Sequence, residues 1–372
     1  MFGSPPRPDT LELTLFGPGY GESVLAHIGS GHWILVDSCI DSNSGQPAAL
    51  VYLDQLGLNP ADVVDMIVAS HWHDDHVRGL STILEACPRA SFCLSSALTE
   101  REFVAMVSRF DSHNRLAGGS GVSELNRAYS LLQGRAAKRA IADRRLLALS
   151  GGDLTQAGPV ELWALSPSDR QVERFLFELA SMMPQVGETK YRACVRSRND
   201  LCVALWLSVG DNHILLGSDL EQAVDSGIGW KAVLSSTAKP QQRASVFKVP
   251  HHGSVTGHCP DVWDIMVTEN PVALVTPFTK GRTSLPTGDD AIRILSHTAN
   301  AYITAAAQSK TPRQRPAAVE KTLREMGIKL RRALPNTGAL RVRKNLTDGY
   351  SEWQVETFLG ARHLSEYQEG TG

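Results

Sequence analysis

Ser70-His71-Trp72-His73-Asp74-Asp75-His76, directly after the apolar run Met66-Ile67-Val68-Ala69, is the stretch that decides how this chain folds. The run predicts a buried strand, and the loop that ends it carries three imidazoles and two carboxylates within six positions. Divalent metals such as zinc take imidazole nitrogen and carboxylate oxygen at about 2 Å. One short loop cannot wrap five such groups around a single ion. The spacing suits two neighbouring ions, His71 and His73 on one, Asp75 and His76 on the other. A solvated polar loop is the plain alternative, and the density of ligand-type side chains argues against it.

The chain has 372 residues, 42% of them hydrophobic, enough for one large domain or two modest ones. A formal net charge of -2 gives no global steer towards nucleic acid or membrane. Six cysteines (39, 87, 93, 194, 202 and 259) show no C-x-x-C pair, and several sit in apolar runs such as Leu201-Cys202-Val203. They read as buried free thiols. Met1-Phe2-Gly3-Ser4-Pro5-Pro6 has neither a basic start nor an apolar core, so no signal peptide is predicted. No apolar run nears the ~20 residues a spanning helix requires. A cytoplasmic protein without a membrane segment is the expectation.

Short apolar bursts with glycine punctuation predict strands around residues 11–16, 23–28 and 33–36, followed by a helix near 48–56. From about 96 to 143 the apolar spacing turns helical, which predicts a helical insertion between scaffold strands. A helix over 168–183, a hairpin about Gly210-Asp211-Asn212 and further strand–helix alternation follow. A helix over 317–326 and a last strand near 339–342 are predicted next. The domain is drawn as 1–345, with 346–372 as a partly flexible C-terminal extension. Composition and periodicity alone indicate mixed α and β.

The H-x-H-x-D-H pattern after a strand resembles the metallo-β-lactamase-fold hydrolases. Further likenesses lie in Gly19-Tyr20-Gly21-Glu22-Ser23, in Trp33-Ile34-Leu35-Val36-Asp37, in Gly217-Ser218-Asp219 and in Lys248-Val249-Pro250-His251-His252-Gly253-Ser254. The last of these is most similar to the branch of competence-type (ComEC) nucleases and phosphorylcholine esterases. The resemblance covers roughly residues 10 to 345. It implies a four-layer αββα sandwich of the α/β (α+β) class.

It also implies two divalent ions, zinc or manganese with magnesium possible, held by His71, His73, Asp75, His76, Asp219 and His252. Asp219 matches the bridging carboxylate, and His252 is preferred to His251 as ligand. Asp37 would orient a ligand histidine or a loop amide, with a turn or cap role as its alternative. Asp74 is either such a supporting group or solvent-facing. Glu221, grouped with the residues that support the ligands, would touch substrate or cap the following helix, capping being the preferred role. Asn199 stands where many relatives place a third histidine, so one ion would have fewer protein ligands and suit harder metals. Gly19 to Ser23 reads as a tight hairpin near the metals.

Hydrolysis at neutral pH calls for hydroxide, and a bound metal lowers the pKa of water towards about 7. The leading expectation is a dinuclear phosphodiesterase or nuclease using metal-bound hydroxide, with Asp75 and His251 catalytic. Lys248 and Ser254 would receive the phosphate. Two basic groups, Lys310 to Lys344 and Arg135 to Arg145, would track a nucleic-acid backbone or form solvated faces. A small phosphoester, cyclic nucleotide, lactam or thioester is the alternative substrate. A non-catalytic nucleic-acid-binding or effector subunit with a protein partner is the alternative class. Oligomeric state is not legible.

Overall fold

The computed structural model describes residues 2–18, 21–100, 103–104, 121–132, 135, 137–150, 158–182, 199–279, 284–305, 319, 322, 325–326, 337–348 and 351–367. Two eight-stranded sheets carry the architecture. The first contains β1 (Thr10–Gly17), β2 (Ser23–His27), β3 (Trp33–Val36), β4 (Val64–Ala69), β5 (Ser91–Ser95), β6 (Ala137–Ala140), β14 (Gly338–Asn345) and β15 (Gln354–Phe358). Its order is β15-β14-β1-β2-β3-β4-β5-β6. The second contains β7 (Arg144–Leu149), β8 (Val160–Ala164), β9 (Leu205–Val209), β10 (Asn212–Leu216), β11 (Ala244–Lys248), β12 (Val267–Val275), β13 (Ala301–Ile303) and β16 (Arg362–His363). Its order is β16-β13-β12-β11-β10-β9-β8-β7.

Strand periodicity sets the layers. Successive side chains point to opposite faces, so Met66 and Val68 of β4 meet Leu205, Ile214 and Val246 between the sheets. Ile67 points outward, under α1 (Ala48–Gln55), α4 (Leu80–Ala86), α5 (Gly121–Leu131) and α6 (Asp169–Met182). Likewise Leu215 and Phe247 turn outward beneath α7 (Gly229–Ser235), α8 (Pro260–Met266) and α9 (Gly288–His297). Three buried apolar interfaces therefore separate four layers, and the αββα sandwich is the observed fold. The central strands β3, β4, β10 and β11 are apolar on both faces, as strands covered on both sides must be. Their C-terminal ends gather at one end of the sandwich, because β3 pairs parallel with β4 and β10 pairs parallel with β11.

Three expectations change. The 96–143 segment is not wholly helical: after α5, residues 137–140 add β6 to the sheet edge, parallel to β5. Ala-Lys-Arg-Ala has weak strand propensity, and pairing with β5 overrides it. Within the 346–372 stretch expected to be partly flexible, Gln354–Phe358 pair as β15 on β14 and Arg362–His363 as β16 on β13, while 349–350 and 368–372 lie outside the described residues. The basic residues 341 and 343 are structural. Arg341 is buried and bonds Glu356, Tyr52 and the Phe2 carbonyl. Arg343 neutralises Glu12, which is fully buried on β1 and also accepts from the Tyr52 hydroxyl at 2.7 Å. Position 194, the 317–326 helix apart from residues 319, 322, 325 and 326, and the basic residues from 310 to 332 lie outside the described residues. The other five cysteines are buried and unbridged. Among the described residues no helix is long and apolar enough to cross a membrane.

Removing one partner of a buried ion pair strands the other charge. Arg343→Met should therefore lower stability by about 3–5 kcal/mol in denaturant unfolding, with Arg343→Lys intermediate. A second handle is His27, buried with Nδ1 on the Thr10 carbonyl and Nε2 accepting the Gly31 N–H. Burial lowers its pKa from 6.5 to about 4. The unfolded chain then holds the extra proton between those values, so stability present above pH 6.5 is lost as the pH falls towards 4. The loss should reach on the order of 2–3 kcal/mol. His27→Gln should flatten that decline, read by unfolding at pH 7 and 4.5.

Candidate metal centre

The site is assembled where β3, β4, β10 and β11 end. Asp37 leaves β3 with φ 60° and its backbone N–H on the Val68 carbonyl. From there its carboxylate takes three donors: the Ser70 N–H at 2.7 Å, the Ser70 hydroxyl at 2.6 Å and His76 Nδ1 at 2.8 Å. His71 Nδ1 meets the same Ser70 hydroxyl at 2.9 Å. One carboxylate thus fixes the Nδ1 sides of His71 and His76 and turns both Nε2 atoms the other way. His76 sits in α3 (Asp74–Val77), the short helix that closes the loop. Asp74 accepts the backbone N–H of Gly121 at the start of α5, so it anchors a helix and does not face the cluster.

Gly21 lets the chain before β2 press against this loop. It has φ +104°, and a Cβ there would lie 1.7 Å from the Asp75 carbonyl oxygen. The next N–H, of Glu22, binds that same oxygen at 2.9 Å.

From the second sheet come Asp219, after β10, and His252, after β11. Ser218, His251 and His252 all have positive φ (46°, 48° and 55°). Non-glycine residues adopt this region at a cost that surrounding structure must offset, and such costs concentrate at functional sites.

The distances define two overlapping groups. His71, His73 and Asp219 form one; Asp75, His76, Asp219 and His252 form the other. His71 Nε2 lies 3.1 Å from His73 Nδ1 and 3.9 Å from Asp219 Oδ2. The same oxygen lies 3.4 Å from His76 Nε2 and 3.6 Å from His252 Nε2. His252 Nε2 is 3.4 Å from Asp75 Oδ2. Tetrahedral ligands ~2 Å from an ion are roughly 3.3 Å apart, so these separations fit a cation in each group. Buried His76 Nε2 has no hydrogen-bond partner among the described residues, which a cation would remedy. A third grouping, Asp37 with His71 and His76, also satisfies a distance test. It is not a cation site, because the three donors already occupy Asp37.

Burial and neighbouring positive charge act together at His71, and burial and charge oppose each other at His76, Asp219 and Asp75. Burial, then its neighbours His76 and His73, hold His71 well below its usual pKa, leaving a lone pair to donate. Burial opposes charge on His76, yet Asp219, Asp37 and Asp75 overcome it and raise its pKa. These carboxylates call for a positive charge at that point, a proton or a metal cation. Burial would likewise raise Asp219 and Asp75, but His252 and His76 keep both carboxylates ionised.

Several sequence-assigned residues lie elsewhere than expected. Lys248 does not face substrate: it is buried beneath Asp219, ion-paired with Glu22 and donating to the Ser218 carbonyl at 2.8 Å. Alternation along β11, with Val246 inward and Phe247 outward, aims it into the sandwich. Burial disfavours its charge, but Glu22 and Asp219 more than restore it. Ser254 turns its hydroxyl to Thr256, 3.2 Å away. Glu221 caps no helix. It lies 2.8 Å from His251 Nδ1 and accepts from Thr256 and Asn199 at 2.9 and 3.3 Å. Asn199 also sends its amide to His251 Nε2 at 3.2 Å, so it stands with His251 beside the cluster and not among the ligand groups. His252 instead reaches the cluster through Nε2, its Nδ1 lying 3.0 Å from the Thr276 carbonyl.

Glu22 and Ser70 were not assigned roles from sequence. Glu22 is 3% exposed in a stretch read as a hairpin, and a carboxylate entering a fully buried strand was the available signal. Ser70 gave none, since a serine ending a strand is commonplace.

Residues 16–102 match the model of the metallo-beta-lactamase superfamily. No curated protein matches the chain. Among solved structures it is similar to the metallo-beta-lactamase fold protein YhfI from Bacillus subtilis, at 16% identity over 64% of this chain and 70% of that one, TM-score 0.30. It is also similar to Zn(2+)-bound PqqB from Methylobacterium extorquens (13%, 52% and 51%, TM-score 0.26). A metallo-beta-lactamase from Pontibacter korlensis gives 13% identity over 60% and 73%, TM-score 0.27.

Groups that orient ligand histidines typically contribute 10–100-fold to metal affinity. Asp37→Asn should weaken divalent-metal binding by about that factor, and Ser70→Ala by less. Metal titration of the chelator-stripped variants, with circular dichroism to monitor the fold, checks this.

Proposed function

We propose that this protein is a dinuclear, divalent-metal-dependent phosphodiesterase acting on nucleic acid. One observation carries the reading: Asp219 Oδ2 lies in both ligand groups, where a single carboxylate can hold two cations side by side. His71, His73 and Asp219 would hold one ion, and Asp75, His76, Asp219 and His252 the other. Zinc or manganese suits this mixture of nitrogen and oxygen ligands. Such a pair lowers the pKa of water towards about 7 and screens charge on a phosphoryl oxygen.

The protein's own groups supply the rest. Asp37 and Ser70 keep the histidines oriented. Asp75, 15% exposed at its side chain, lies at the open side of the cluster and can position the attacking water. His251 is held at Nδ1 by Glu221 and Thr256. With a proton on both ring nitrogens, and the substrate in place of the Asn199 amide, Nε2 would pass its proton to the leaving oxygen and return to the neutral ring. Among the described residues the first ion would have no third imidazole, because Asn199 turns to His251 and Glu221. That favours an anionic, oxygen-donating substrate over a lactam or thioester.

The likeness of Lys248 to Ser254 to the competence-nuclease and phosphorylcholine-esterase branch supports phosphodiester chemistry. Lys138, Arg139, Arg144 and Arg145 are exposed on β6 and β7, the edge strands of the two sheets, and could meet a phosphate backbone. Arg139 and Arg145 are partly neutralised by Glu100 and Glu161.

Chelator-stripped protein should be inactive on labelled DNA, RNA and bis(p-nitrophenyl) phosphate, and manganese or zinc should restore cleavage. His73→Ala and Asp75→Ala should each lower the rate roughly a thousandfold or more. Full activity in both variants, or turnover confined to a lactam or thioester panel, would refute the proposal.

A further inference from the structure

Lys248 and Glu22 form a buried ion pair directly beneath the ligand cluster, and the proposed chemistry uses neither. Lys248 is 1% exposed and Glu22 is 3% exposed, so neither charge is solvated. The ammonium lies 4.0 Å from Asp219 Oδ1 and holds the Ser218 carbonyl of the strained turn that presents Asp219. One Glu22 oxygen takes the ammonium; the other has no hydrogen-bond partner among the described residues and lies 3.8 Å from His252 Nδ1. Four carboxylates, Glu22, Asp37, Asp75 and Asp219, thus stand against this one buried ammonium. With the imidazoles neutral, three negative charges remain.

We infer that Lys248 and Glu22 are opposed positioning residues that set the cage's charge, and through it the affinity for its cations. The inference rests on the two-cation reading above. A single divalent ion leaves the buried cage anionic, whereas two overcompensate by one charge. That surplus favours an anionic substrate. Without Lys248 two cations would be held more tightly, in a neutral cage with no pull on a phosphate. Without Glu22 the ammonium would face the cations uncompensated and repel them. Lys248 therefore trades metal affinity for attraction of an anion, and Glu22 limits that trade.

The two charges predict shifts of opposite sign, which a shared packing role does not. The full chain, stripped by chelator, is titrated with Mn²⁺ by calorimetry at fixed pH and ionic strength. Lys248→Met should tighten binding by roughly tenfold or more, and Glu22→Gln should weaken it by a similar factor. The double variant should return close to wild type. Weakening in both single variants, or no shift in either, overturns the inference. If Lys248→Met fails to fold by circular dichroism, Glu22→Gln decides alone, and unchanged affinity with an unchanged melt overturns it. Wild-type protein that binds fewer than two cations would instead overturn the dinuclear reading. Two bound cations without opposed shifts would sink only the charge-balance claim.

Discussion

Everything at the centre depends on the carboxylate of Asp37. It accepts one backbone N–H, one hydroxyl and one imidazole N–H from the neighbouring strand end and helix. Three donors satisfy this buried carboxylate, and they include the supports of two candidate ligands. The parallel pairing of β3 with β4 puts Asp37 beside Ser70, and this fixes how His71 and His76 present their outer nitrogens. Remove that anchor and the histidine loop has the right residues without a common aim. The second sheet contributes in the same manner, through strained turns after β10 and β11 that lift Asp219 and His252 towards the first.

Much of the cluster was legible because metal chemistry uses few side-chain types. His71, His73, Asp75 and His76 are concentrated in one loop, and their convergence needs only a strand to end there. Asp219 and His252 became legible through resemblance, since spacing alone cannot relate residues more than 140 positions apart. The distinction between His251 and His252 was open in sequence. In the structure His252 Nε2 stands in the ligand group, whereas His251 turns to Glu221, Thr256 and Asn199.

The misreadings share one cause. Lys248 looked like a phosphate ligand because it precedes a histidine pair, yet strand alternation sends its side chain inward. Arg341 and Arg343 looked like a solvated or phosphate-binding run, yet they lie on β14 against Glu356 and Glu12. Charge counts along a chain carry no information on which face a strand presents. Ala137 to Ala140 escaped detection as a strand for a related reason: its identity comes from the partner β5 rather than from its own propensity. Fold class, by contrast, followed from short apolar runs whose alternate residues meet in separate interfaces.

The place of β14 next to β1 bears on how the chain comes to be folded during synthesis. Glu12 leaves the ribosome 331 positions ahead of Arg343, whose guanidinium neutralises it. Until then the first sheet has an open flank at β1 and an anion with no counter-ion. Closing such a long loop is slow and must precede the reward of the contact. Nascent chains should accordingly depend on chaperone protection of that flank, and folding is completed only when the late strands arrive.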